Sequence, residues 1–252
     1  MGNSHHVGRP HWPLYRRSLA VIREEGVSGV FRRCRNRVSD FYGRFATHDL
    51  NATYGWAFYE ESRFGNSYCK ELARVLVAEL RPLSFLDVGC GDCSLLLAMH
   101  RLGIDSYGLD GSATAILHAP SEVFVVQSNL GRPFLLNQKF EIVSCIEVAE
   151  HLPRRSAKPL VRSLVSHSTD SILFSAAHPG QGGVGHVNER PAAYWEALFA
   201  EQGWLKSDTE TEIIKLALRI SHAPDYLLTN LMLLRRAGTN GKEHETNSLD
   251  NL

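Results

Sequence analysis

Residues 84–112, SFLDVGCGDCSLLLAMHRLGIDSYGLDGS, leave the chain few choices of fold. An apolar run, Phe85–Val88, meets glycines at 89 and 91. An apolar helical stretch follows (Ser94–Arg101), and a second apolar run, Ile104–Leu109, ends in Asp110. Strand, tight turn, helix, strand is the opening of a parallel α/β sheet. Glycine lets the backbone turn sharply and approach a ligand with no Cβ in the way. The helix opening near Cys93 points unpaired N–H groups toward that turn. In open sheets of this kind, ligands sit at the carboxyl ends of the strands. Asp110, 23 residues after Asp87, is placed to accept both hydroxyls of a ribose. The stretch therefore reads as a site for a nucleoside-bearing cofactor.

A dinucleotide site is the rival. Its fingerprint has a third glycine that packs helix on strand, and Gly89-Cys90-Gly91-Asp92-Cys93-Ser94 lacks it. Asp87, next to the turn, would repel a pyrophosphate but suits a cationic, amine-bearing cofactor.

Around this stretch the chain divides into four parts. Residues 1–12 are polar and expected to be disordered. Residues 13–64 form an expected helical cap. Within it, segment 13–46 carries Arg16, Arg17, Arg23, Arg32, Arg33, Arg35, Arg37 and Arg44 among apolar residues such as Leu19, Ile22 and Phe31. A solvated cap over a substrate pocket is the preferred reading there, and a basic surface for a phosphate-bearing partner the alternative. Residues 65–236 form the catalytic domain, and 237–252 an expected disordered tail.

Inside the domain, helical spacing over 67–81 stops before Pro82. Further strands are expected at 123–127, 140–146 and 171–176, and further helices at 113–118, 156–167 and 192–202. Gly203 is the stop for the last. Segments 211–220 and 227–235 read as two more strands, with a helix as the alternative for 211–220. The alternation predicts a doubly wound, largely parallel sheet.

These residues carry a resemblance. Leu86-Asp87-Val88-Gly89-Cys90-Gly91 resembles the first motif of the class I S-adenosylmethionine-dependent methyltransferases, and Tyr107-Gly108-Leu109-Asp110 resembles their second. Asn129-Leu130-Gly131-Arg132-Pro133-Phe134 and the run Glu147-Val148-Ala149-Glu150-His151-Leu152-Pro153 are similar to motifs of the small-molecule branch. The resemblance covers roughly 65–205 and implies a Rossmann-like, mixed seven-stranded sheet with helices on both faces. It also implies S-adenosylmethionine as donor and S-adenosylhomocysteine as product. By the same resemblance Gly89, Cys90 and Gly91 line the methionine portion, Asp87 orients its amino group, and Asp110 with Gly111 holds the ribose. Asn129 approaches the adenine amine, Leu130 and Ile146 flank the ring, Tyr59 covers the cofactor, and Arg63 pairs with its carboxylate. Cys93 stands where many members have a third glycine, Asn129 replaces an acid, and Glu141 replaces the usual Asp.

Methyl transfer from a sulfonium asks chiefly for alignment and exclusion of water. A hydroxyl acceptor also gains from a base, and histidine is suited near neutral pH. Two loops face the site. One carries Glu147, Glu150 and His151, which would share a face if helical. The other, residues 178–191, holds four glycines and His186 and reads as a mobile lid. His186, His151 and Glu150 are the candidate catalytic residues. The preferred reading has no metal. The alternative is a divalent cation on Glu147, Glu150, His151 and His186.

Composition narrows the rest. Lys+Arg and Asp+Glu are balanced at 27 each, which predicts no polyanion partner. Cys90 and Cys93 have C-x-x-C spacing, but no second pair completes a zinc site. No apolar run nears the ~20 residues of a membrane span. A cytoplasmic enzyme that O-methylates a small-molecule acceptor, of natural-product or glycan type, is expected. Metal-assisted methylation of an RNA end and a non-methylating cofactor binder are the alternatives.

Overall fold

The computed structural model of the chain describes residues 68–238. The cap expected at 13–64 and the segment 1–12, expected to be disordered, lie outside these residues. So does the 237–252 tail beyond Gly238. Helix α1 (Cys69–Leu80) leads into β1 (Ser84–Val88), α2 (Ser94–Arg101), β2 (Asp105–Asp110), α3 (Ala113–Leu117), β3 (Phe124–Gln127) and β4 (Phe140–Ile146). Two single 3₁₀ turns, Ala149–His151 and Arg154–Ser156, precede α4 (Ala157–His167) and β5 (Ser168–Ser175). Then come α5 (Ala192–Ala200), β6 (Trp204–Lys206), α6 (Asp208–Ile220), α7 (Asp225–Asn230) and β7 (Met232–Arg236).

The strands form one seven-stranded sheet in the order β3-β2-β1-β4-β5-β7-β6. β7 runs antiparallel to both neighbours, and the pairs among β1 to β5 are parallel. Strand order reverses between β1 and β4, the place where such sheets open a crevice at their carboxyl edge.

Alternation along the strands builds two cores. On one face, Phe85, Ile142 and Leu173 pack with Leu72 and Leu76 of α1, Leu96 and Met99 of α2, and Ile214 and Leu218 of α6. On the other, Leu86, Val143 and Phe174 pack with Leu160 and Leu164 of α4 and with Trp195 and Phe199 of α5. The Trp195–Phe199 stripe is thus core. No described helix is long and apolar enough to cross a membrane.

The carboxyl-terminal part departs from expectation. Segment 211–220 is helix α6, the alternative reading, because Thr211, Ile214, Lys215 and Leu218 are its buried positions and repeat at helical spacing. The expected strand at 227–235 divides into α7 and β7. Strand β6, three residues long, was not anticipated at all. Among the described residues it pairs only with β7, through Trp204↔Arg236 to Lys206↔Leu234.

Phe174 is fully buried, with the rings of Trp195 and Phe199 each 5.2 Å away. Phe174→Ala should therefore lower stability by about 3–5 kcal/mol. Urea unfolding should show this as an earlier midpoint with an unchanged slope.

Candidate active site

The carboxyl ends of β1, β2 and β4 open into a cavity of about 510 Å³, within the ~300–1,000 Å³ typical of ligand sites. Parallel register sets its floor. β1 pairs Asp87 with Gly108 on one side and Ser144 on the other. Ser144 Oγ accordingly donates to Asp87 Oδ1 at 2.6 Å. Burial pushes the Asp87 carboxyl up to about 7, against the Ser144 bond, and the charges of Asp110 and Asp92 add to the rise.

The turn after β1 brings its backbone to Asp110. Gly91 N donates to Asp110 Oδ2 at 2.9 Å, and Ser112 N donates to Oδ1 at 2.7 Å. Burial raises this carboxyl too, while those amide bonds oppose it. Each Asp110 oxygen has a second lone pair, so two hydroxyls can still be accepted. At Gly89, φ is +82°, and a Cβ would lie 2.3 Å from Val148 Cγ2; only glycine keeps the turn in place. Cys93 takes the left-handed conformation, φ +63°, which favours glycine. Asp92 then holds the first turn of α2, accepting from Ser94 N at 2.9 Å and Ser94 Oγ at 2.8 Å. Cys90 Sγ and Cys93 Sγ lie 4.0 Å apart as buried free thiols, and the Cys90 thiol is held well above its ordinary range, first by its bond to Cys93.

Two loops close the other side. Glu147 follows β4 with φ +52°, so it does not share a helical face with Glu150 and His151 as expected. Its carboxylate instead accepts from Gln181 Nε2 at 3.0 Å and Asn230 Nδ2 at 3.2 Å. Glu150 is fully buried, and neither of its carboxylate oxygens meets a hydrogen-bond donor among the described residues. Burial, then the neighbouring Glu147 charge, pushes this carboxyl up to about 8.

The Glu150 backbone carbonyl ties the loops together, accepting from Val187 N at 2.9 Å and Asn188 N at 3.0 Å. This sets His151 edge-on to His186, ring centroids 4.8 Å apart. Desolvation first, and the His186 charge second, pull His151 down to about 4, so its imidazole is neutral near pH 7. Glu150, His151 and His186 offer ligand atoms all within 4.8 Å of one another.

Most residues singled out in the sequence meet here. Asp87, Gly89, Cys90, Gly91, Asp110 and Gly111 line the cavity on the turn side. Leu130 and Ile146 form apolar wall, and Glu150, His151 and His186 line the far side. Asn129 does not. It is exposed, and its Oδ1 accepts from Gly131 N at 3.0 Å in a local turn. Tyr59 and Arg63 lie outside the described residues. Glu147, expected among the metal ligands, stands apart from the Glu150–His151–His186 group. Sequence reasoning missed Gln181, Asn230, Tyr226 and Glu189. Each is an ordinary polar residue in the sequence, and only the folded loop (Gln181, Glu189) and helix α7 (Tyr226, Asn230) carry it to the site.

Comparison with known proteins agrees with this geometry. Residues 59–220 match the family described as methyltransferase domain. The ubiquinone biosynthesis O-methyltransferase of Paramagnetospirillum magneticum is 31% identical over 144 residues, which cover 53% of this chain and 53% of that protein. The chain thus matches about half the length of that curated relative. Among solved structures, magnesium protoporphyrin IX methyltransferase from Synechocystis with bound S-adenosylhomocysteine superimposes with a TM-score of 0.53 at 17% identity, over 80% of this chain and 99% of that one. Streptomyces venezuelae DesVI gives 0.56 at 15%, over 76% and 100%. An amino pentose methyltransferase from Micromonospora echinaspora gives 0.55 at 15%, over 71% and 96%.

The raised Asp87 carboxyl makes stability depend on pH. Between about pH 4 and pH 7 the folded chain keeps a proton that the unfolded chain has lost, so stability falls as pH rises through that window. Asp87→Asn should flatten that part of the slope. It should leave the free protein more stable at pH 8 by up to about 4 kcal/mol, with the difference vanishing below about pH 4. Urea midpoints across this range read the effect directly. Glu150 adds a slope of the same sign in both proteins.

Proposed function

The chain belongs to the class I S-adenosylmethionine-dependent methyltransferase family, and we propose that it methylates a hydroxyl of a small molecule or sugar with His186 as the base. The observation that carries this reading is convergence. A glycine turn flanked by two buried carboxylates shares one cavity with an imidazole pair.

The residues fit the cofactor. Asp87 is a buried carboxylate suited to a cationic amino group, Asp110 retains lone pairs for two ribose hydroxyls, and Leu130 and Ile146 supply apolar wall for an adenine. Bound S-adenosylmethionine supplies an electrophilic methyl group on a sulfonium. The chain's own residues do the rest. The turn at Gly89–Gly91 and the two aspartates fix the donor side, the 178–191 loop excludes water, and His186 accepts the acceptor's hydroxyl proton.

Asp87, Asp92, Asp110, Glu147 and Glu150 all line the cavity. That concentration of carboxylates favours a neutral or cationic acceptor over an RNA end or other polyanion. The named activities of the O-methyltransferase relative and the amino pentose enzyme support a small-molecule acceptor. The free thiols at Cys69, Cys90, Cys93 and Cys145 suit a reducing cytoplasm.

A second reading rests on one observation, the Glu150–His151–His186 group. A carboxylate with two imidazoles suits a divalent transition ion, and the unpartnered oxygens of Glu150 are available to it. Metal-assisted transfer predicts that a chelator abolishes turnover and that manganese or zinc restores it. The metal-free reading predicts no chelator effect.

Incubation with methyl-labelled S-adenosylmethionine and panels of alcohols, sugars, amines and RNA ends tests the main proposal. Label should appear on a hydroxyl of a small acceptor, and His186→Ala should slow turnover at least about tenfold while leaving donor affinity near normal. Label only on RNA, or only on carbon, would overturn it.

Donor binding should also release a proton at about pH 6, because pairing an ammonium with Asp87 requires the ionised carboxylate. The calorimetric heat should then vary with the ionisation enthalpy of the buffer. Asp87→Asn should remove that dependence and weaken binding at least about tenfold. A buffer-independent heat in the unaltered chain would contradict the role given to Asp87.

A further inference from the structure

Glu189 lies in the glycine-rich loop three residues after His186, and its carboxylate is shared among three donors. Oε2 accepts from Gly180 N at 2.9 Å, and Oε1 accepts from Gly182 N at 2.8 Å. His186 Nδ1 lies 3.0 Å from Oε1. A glutamate carboxyl surrounded by three donors is ionised near neutrality. A carboxylate only accepts hydrogen bonds. The ring nitrogen facing it must therefore carry the proton.

We infer that Glu189 is the positioning residue of this site. It holds His186 as the Nδ1–H tautomer and leaves Nε2 as the nitrogen with the free lone pair. Three features of the loop converge on this. His186 is half-buried, so little water competes for Nδ1; its side chain is 11% exposed and that of Glu189 21%. Gly180 and Gly182 both have positive φ (+89° and +69°), which turns their N–H groups inward onto one carboxylate. Gly183, at φ +155°, leaves room for the ring; a Cβ there would stand 2.4 Å from Nε2.

The ring is thus fixed at Nδ1 by charge and along Nε2 by the missing side chain. The same carboxylate ties together the loop that carries the ring. Loop shape and tautomer are therefore set by one group. A wrong tautomer presents N–H where a lone pair is needed, and in other enzymes that costs orders of magnitude in rate. This tautomer assignment stands on the geometry alone. Its consequence for turnover rests on the reading of His186 as base.

The test uses the full chain with ¹⁵N-labelled histidine and two-bond ¹H–¹⁵N correlation spectra at a pH where the imidazole is neutral. His186→Asn identifies the signal. His186 should show the Nδ1–H pattern. Glu189→Gln, nearly isosteric, should shift it toward Nε2–H, and Glu189→Asp should restore it in part. An Nε2–H pattern in the unaltered chain, or an unchanged pattern in Glu189→Gln, would overturn the assignment.

Kinetics separates this from the proposed reaction. Glu189→Gln should lower kcat at least about tenfold with the KM for S-adenosylmethionine unchanged, which a general loss of folding would not do. A tautomer switch with kcat intact would uphold the Glu189 assignment and sink His186 as the base.

Discussion

Two carboxylates buried side by side, at the ends of neighbouring parallel strands, are the constraint around which the rest of the molecule is arranged. Burial disfavours the charge on Asp87 and on Asp110, and the Asp110 charge adds to the rise at Asp87. A fold keeps such a pair only if its surroundings hold it in place. Here Ser144, carried by the register of β4, donates to one. The amides of Gly91 and Ser112 donate to the other. The glycine turn is what lets Gly91 N reach Asp110, so the turn, the register and the charges form one device. A buried pair of carboxyl groups of this sort suits a cationic ligand with hydroxyls nearby.

Much of this device was legible in the sequence because each part has a local signature. Apolar runs marked β1, β2 and β4, glycines marked the turn, and acids marked the strand ends. What escaped had no local signature. β6 is three residues on a sheet edge, too short for alternation to register. In 227–235 the apolar pairs on either side of Thr229 and Asn230 hid a break at Leu231, because short apolar runs fit a buried helix turn as well as a strand. Glu147, Glu150 and His151 have helical spacing, but a positive φ at Glu147 turns its carboxylate toward Gln181 and Asn230. Asn129 sits within a motif of the right shape, yet its Oδ1 accepts from Gly131 N and it does not line the cavity.

The far side of the cavity depends on coupling between two loops, which spacing along a chain does not reveal. The Glu150 carbonyl receives two amides from the glycine-rich segment, Gln181 bridges to Glu147, and Glu189 gathers Gly180, Gly182 and His186. The four glycines suggested looseness when seen alone. In the fold, two of them supply the inward-facing amides that Glu189 collects, and a third leaves space for the imidazole.

The central claim is that the cavity at the ends of β1 and β2 holds S-adenosylmethionine through Asp87 and Asp110. A crystal structure of the chain with S-adenosylhomocysteine tests it most directly. The account predicts the ligand's amino group against Asp87, its ribose hydroxyls on Asp110, and its adenine between Leu130 and Ile146. A ligand seated elsewhere, or reversed so that the ribose leaves Asp110, would contradict it.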